Sequence, residues 1–67
     1  MDDGEKVIRA YFLRFKERPR AEHQVIAFAK KADDLPNITY GQAKKVVKAA
    51  KEGKYDDLLS SDASTQG

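Results

Sequence analysis

Asn37-Ile38-Thr39-Tyr40-Gly41-Gln42-Ala43-Lys44-Lys45-Val46-Val47-Lys48-Ala49-Ala50-Lys51-Glu52-Gly53-Lys54 carries both ends of a helix and both of its faces. Thr39 suits the N-cap, because its hydroxyl can accept a hydrogen bond from a free backbone N–H of the first turn. Gln42 stands three residues on, where its side chain can reach back to the Thr39 N–H and complete a capping box. Gly53 supplies a residue that can turn left-handed and end the helix. Ala43, Val46, Val47 and Ala50 recur at helical spacing and predict the buried face. Lys44, Lys45, Lys48 and Lys51 occupy the rest of the surface. Ile38 precedes the cap, where it can staple onto the first turns.

Outward from this segment the same period recurs. Ile8, Tyr11, Phe12 and Phe15 follow the i, i+3, i+4, i+7 pattern and predict a first helix over 5–17. Acids at its start and Lys16 and Arg18 at its end suit the helix dipole. Pro19 turns Arg18 away from helical geometry. A second helix is predicted over 21–33. Its apolar set, Val25, Ile26, Phe28, Ala29 and Ala32, covers nearly half the circumference and predicts a central helix touching both neighbours. Pro36-Asn37 marks the turn into the third helix, predicted over 39–52, with Leu35 and Ile38 folding inward. A short fourth turn over 55–59 brings Tyr55, Leu58 and Leu59 to close the core. From Ser60 onward nothing is available to bury, which predicts a disordered acidic tail over 60–67.

Strand alternation and repeats are absent. The expected fold is all-α: a compact three-helix bundle with a short fourth turn, in one domain over 1–59. The expected core is Ile8, Phe12, Phe15, Val25, Phe28, Ala29, Leu35, Ile38, Val46, Val47 and Leu58. Of the aromatic residues, Tyr40 and Tyr55 read as the more exposed. Val7 and Leu13 read as a strip of the first helix left uncovered, a place where two chains would pair.

Composition narrows the function classes. A chain of 67 residues is one domain with a marginal core, burying only about 60% of its unfolded surface. Cysteine is absent, which removes disulfide scaffolds and cysteine-ligated zinc or iron–sulfur sites. The acidic start, Asp2, Asp3 and Glu5, is unlike a secretory leader. No apolar run approaches the ~20 residues of a membrane span. The expectation is a cytoplasmic protein with no membrane partner. Net charge is only +2, but residues 6–54 hold all 13 Lys and Arg against five acids. A basic body of +8 is thus flanked by ends of −3 each. Such a body attracts polyanions.

Catalysis finds no support in the pattern. His23 is the single histidine, and its neighbour Glu22 points elsewhere on a helix. A general base needs a partner and a cleft. The acid pairs Asp2/Asp3, Asp33/Asp34 and Asp56/Asp57 lack the alternate spacing and glycine turn of a calcium loop. The four glycines are too scattered for a phosphate loop. No enzyme activity, metal, cofactor or small-molecule substrate is expected.

The basic residues are the strongest functional feature. Lys44, Lys48 and Lys51 lie in one sector of the third helix with Lys45 alongside, a row able to meet successive phosphates. The bland reading is a solvated helix face, since lysine is a good helix former. Thr39, Tyr40 and Gly41 add a helix N-terminus with free N–H groups and little steric bulk, which suits a phosphate. Gly41 has its own bland readings: tolerance in the first turn, or room for a neighbouring ring. Arg14, Arg18 and Arg20 form a second basic group, able to clamp phosphates or to pair internally with Glu17 or Glu22. The five-residue connection containing Pro36 does not meet the tight helix-turn-helix pattern. The expected function is a small non-enzymatic nucleic-acid-binding module, an accessory or regulatory protein with duplex DNA as partner. Thr39, Tyr40, Gly41, Lys44, Lys45 and Lys48 form its surface, and Arg14, Arg18 and Arg20 assist. The alternative is a protein-interaction module that takes an acidic partner on the same face, or a homodimer.

Overall fold

The structure is a computed structural model and describes residues 2–60. Among these there is no strand. Helix α1 spans Asp3–Phe15, α2 Glu22–Lys31, α3 Tyr40–Lys51, and α4 is a single turn, Asp57–Ser60. The expected all-α bundle of three helices and a short fourth is the observed architecture. Ser60, assigned from sequence to the tail, closes α4 instead, its hydroxyl donating to the Asp57 carbonyl at 3.3 Å. The remainder of the expected tail, 61–67, lies outside the described residues.

The helix ends follow from local chemistry. α1 begins two residues earlier than predicted because an Asp2 carboxylate oxygen accepts from the Glu5 N–H at 2.8 Å. That Asp-x-x-Glu start is itself a capping pattern. α1 stops at Phe15, two residues short of Glu17, because Lys16 turns left-handed (φ 57°) and donates its N–H to the Phe12 carbonyl at 2.8 Å. α2 begins after Ala21, which has no side-chain acceptor. Gln24 reaches back instead, its Oε1 accepting from the N–H groups of Arg20 at 2.6 Å and Ala21 at 3.1 Å. α3 has the predicted reciprocal cap: Thr39 Oγ1 accepts from Gln42 N–H at 3.1 Å, and Gln42 Oε1 accepts from Thr39 N–H at 2.9 Å. Gly53 follows α3 with φ at 91°, the left-handed geometry expected of it.

The core joins Val7, Ile8 and Phe12 of α1 to Val25 and Ala29 of α2 and to Ala43, Val46, Val47 and Ala50 of α3. Ile38, Tyr55 and Leu58 close it. Several expectations change here. α3, not α2, is the helix packed most fully against both others, and the α1–α2 seam is the thinnest of the three. Its small residues explain this, because Ala43 and Ala50 are completely buried and let neighbouring helices approach. Val7 is fully buried rather than uncovered, and Tyr55 is 4% exposed, whereas Phe15 is 44% exposed. Phe28 and Leu35 are only half-buried, packed against the core's edge.

Gly4 shows how close α1 and α3 lie. A Cβ at this position would stand 3.3 Å from Val46 Cγ1 and 3.5 Å from the Gln42 carbonyl oxygen. Glycine costs helix propensity, and here the cost is offset by close helix contact.

Candidate nucleic-acid interface

α3 turns Ala43, Val46, Val47 and Ala50 inward, which forces its lysines outward. At about 100° per residue, Lys44, Lys48 and Lys51 return to one sector, and Lys45 does not. The structure separates them accordingly. Lys44, Lys48 and Lys51 line one shallow cleft of about 380 Å³, floored by Val47 and bordered by Glu22 and Glu52. Lys45 opens onto a different cleft of about 410 Å³, beside Lys54, Tyr55, Asp2 and Glu5. All four lysines are exposed, and none is ion-paired with a described residue. The two acids beside the first cleft come from different places. Glu52 was visible in sequence one residue after Lys51. Glu22 reaches the cleft only because α2 packs on α3.

The N-terminus of α3 is open. Tyr40 is 61% exposed. Gly41 is also exposed, and a Cβ there would meet only Thr39 Oγ1, at 3.9 Å. Beyond its chain neighbours, no ring of the described residues lies within 4 Å of that position, so Gly41 does not make room for a ring from another segment. The Thr39 hydroxyl already accepts a backbone hydrogen bond within the cap.

The three arginines do not form one patch. Arg18 is engaged inside the molecule. Its Nε donates to Asp56 Oδ1 at 3.0 Å, its Nη2 to Asp56 Oδ2, and its Nη1 to the Lys51 carbonyl at 3.3 Å. It thereby satisfies a carbonyl at the end of α3 and places a cation where the helix dipole favours one. The partner is Asp56, not Glu17 or Glu22. Hydrogen bonding with Arg18 holds the Asp56 carboxyl below the usual aspartate range, and the same bond raises Arg18. Arg14 lies against the Phe15 ring, 5.5 Å from its centroid. The Arg20 side chain is exposed, with its backbone N–H used by Gln24.

A second surface was not read from sequence. Tyr11, Phe15 and Phe28 pack as a ring cluster across the α1–α2 seam, with centroids 4.7–5.5 Å apart. Two adjoining clefts, of about 360 and 310 Å³, share Phe15, Phe28 and Lys31. The helical spacing of Phe15 pointed to core. Only the early end of α1 and the thin seam reveal it as half-exposed. Leu13 is 51% exposed and belongs to neither cleft.

His23 is exposed at the start of α2. Among the described residues, no group of three or more His, Cys, Asp or Glu is arranged to hold a metal. No helix of the described residues is long and apolar enough to cross a membrane. Burial raises the Tyr55 phenol above its ordinary range, with Glu5 and Asp2 adding to the rise and Arg9 opposing it. Burial likewise raises Tyr11, assisted by Glu17. No family model, curated protein or solved structure matches this chain.

Proposed function

We propose that this chain is a small nucleic-acid-binding module that uses the exposed face of α3 as its contact surface. The observation that carries the reading is the grouping of Lys44, Lys48 and Lys51 on one cleft without an ion pair to a described residue. Three ammonium groups in one helical sector match a polyphosphate backbone better than a single phosphate. Exposed Tyr40 and sterically open Gly41 extend this face to the helix N-terminus, where backbone N–H groups favour an anion.

The reading is narrower than the residue set expected from sequence. Lys45 lies outside the helical sector of the other three and opens onto a different cleft, and Arg18 has its donors engaged by Asp56 and Lys51. Neither belongs to the proposed contact. Glu22 and Glu52 border the lysine cleft and oppose a polyanion there. The expected binding is therefore salt-sensitive and of modest strength, with duplex DNA as the partner to try first.

The test is a titration against duplex DNA at several salt concentrations. Three phosphate contacts predict a log–log salt slope of about −3. Replacing Lys44, Lys48 and Lys51 by glutamine flattens the slope by about one unit per lysine that makes a contact. Lys45→Gln leaves it nearly unchanged. Binding undetectable even at low salt, or equal effects from all four lysines, removes this reading.

A further inference from the structure

The exposed stripe of α3 has a fourth member besides its lysines. Tyr40 is the first residue of the helix, and Lys44, Lys48 and Lys51 follow it at i+4, i+8 and i+11. At about 100° per residue these four positions fall within roughly 80° of arc and run about 16 Å along the axis. Tyr40 is 61% exposed, more than Leu13 or Phe15. Among the described residues its ring meets no other ring and no cation. An exposed ring in line with a row of ammonium groups suits single-stranded nucleic acid, because the cations follow the backbone and the ring stacks on a base.

The flanks of the row decide between one strand and two. By helical phase Glu52 falls just beyond Lys48, on the edge away from Val47. Val47 is buried and marks the other edge, and Glu22 reaches the cleft from α2 on that side. The row is therefore narrow, with an acid at either edge. A helix seated in the major groove of a duplex lies between the phosphate rows of both strands, so its flanks meet phosphate. Here those flanks carry Glu22 and Glu52, which repel phosphate. A single strand presents one phosphate row, which the lysines meet without pressing a second row onto the acids. Its bases are also unpaired and open to the Tyr40 ring, whereas bases inside a duplex stack on one another.

We infer that this surface takes single-stranded nucleic acid in preference to duplex, with Lys44, Lys48 and Lys51 along the backbone and Tyr40 stacked on a base. This preference rests on the nucleic-acid reading of α3 and names the form that the ligand takes.

The test is a fluorescence-anisotropy titration of the full chain against one labelled DNA strand of about 16 nucleotides. The strand is chosen not to self-pair and is used alone and annealed to its complement. At equal salt the strand should bind about 10-fold more tightly than the duplex, the margin of one stacked base. Three lysine contacts predict a log–log salt slope of about −2 for the strand against about −3 for the duplex. Tyr40→Ala should weaken binding of the strand by about 10-fold, leaving its salt slope and the duplex affinity unchanged, and Tyr40→Phe should restore it. Far-UV circular dichroism checks that each variant keeps its helix content. A duplex bound as tightly as the strand overturns the preference, and so does a Tyr40→Ala variant that binds the strand as the wild type does. In either case the nucleic-acid reading stands wherever Lys44→Gln, Lys48→Gln and Lys51→Gln still flatten the slope. Binding to neither form at low salt removes that reading and the preference together.

Discussion

The two seams of α1 are built from the same helix and behave oppositely. Against α3 the seam is closed: a Cβ at Gly4 would stand 3.3 Å from Val46 Cγ1, tighter than an ordinary contact, and Ala43 and Ala50 are completely buried. Against α2 the seam is bridged by rings that touch one another and remain partly in solvent. Small residues let helices close upon each other, and large ones hold them apart. Phe12 and Phe15 make the contrast concrete. They lie three residues apart on one apolar stripe, yet Phe12 is fully buried and Phe15 is 44% exposed. Phe12 faces α3's side of the core and the Tyr55 ring, 5.8 Å away. Phe15 is the last residue of α1, where only the edge of α2 remains to cover it.

The largest expected effect tests that contrast directly. Phe12→Ala removes a fully enclosed ring and should cost about 3–5 kcal/mol, a large share of the stability of so small a domain. Phe15→Ala leaves no enclosed cavity and should cost roughly 1–1.5 kcal/mol, about half a side chain's burial. Urea unfolding of the two variants checks the difference. Equal losses would mean that the α1–α2 seam is as closed as the α1–α3 seam.

Added volume should separate the seams next. Gly4→Val forces atoms into the Val46 contact and should cost about 1–3 kcal/mol through overpacking. Ala27→Leu adds more volume, but at an exposed position beside the ring cluster, and should change the unfolding midpoint little. A stabilising Gly4→Val would show that α1 and α3 have slack between them.

The smallest effect concerns the Arg18–Asp56 contact, which ties the α1–α2 connection to the end of α3. Its side chains are 43% and 41% exposed, so its contribution is screened and small. The sign follows from Asp56, whose folded-state value is depressed by the Arg18 hydrogen bond. The contribution is present above the ordinary aspartate value of about 4 and is lost as pH falls through the lower folded-state value. Asp56→Asn should flatten the acid limb of a stability–pH profile without moving the neutral plateau far. An unchanged acid limb would mean that the contact does not persist in solution.

Much of this fold was legible in the chain. The Thr39/Gln42 cap, the left-handed Gly53 and the α3 stripe depend on residues within one or two turns of each other, so local spacing suffices. The same holds for the grouping of Lys44, Lys48 and Lys51. The start of α1 was legible in Asp2 and Glu5, but only if that spacing is read as a cap rather than as general acidity. The partner of Arg18 was not legible, because Asp56 lies 38 residues away and the nearer acids Glu17 and Glu22 compete on paper. Glu22 beside the lysine cleft was hidden for the same reason.

By itself, the sequence of this protein determined that it forms helices, how α3 is capped, and which stripe of each long helix is apolar. These properties belong to hydrogen bonding and periodicity along a single segment. Only the tertiary structure decided which part of each stripe is covered. Helix separation depends on the residues that meet across a seam, and Gly4 meeting Val46 or Phe15 meeting Phe28 is a fact about two segments at once. That is why one phenylalanine of α1 became core and the other became surface.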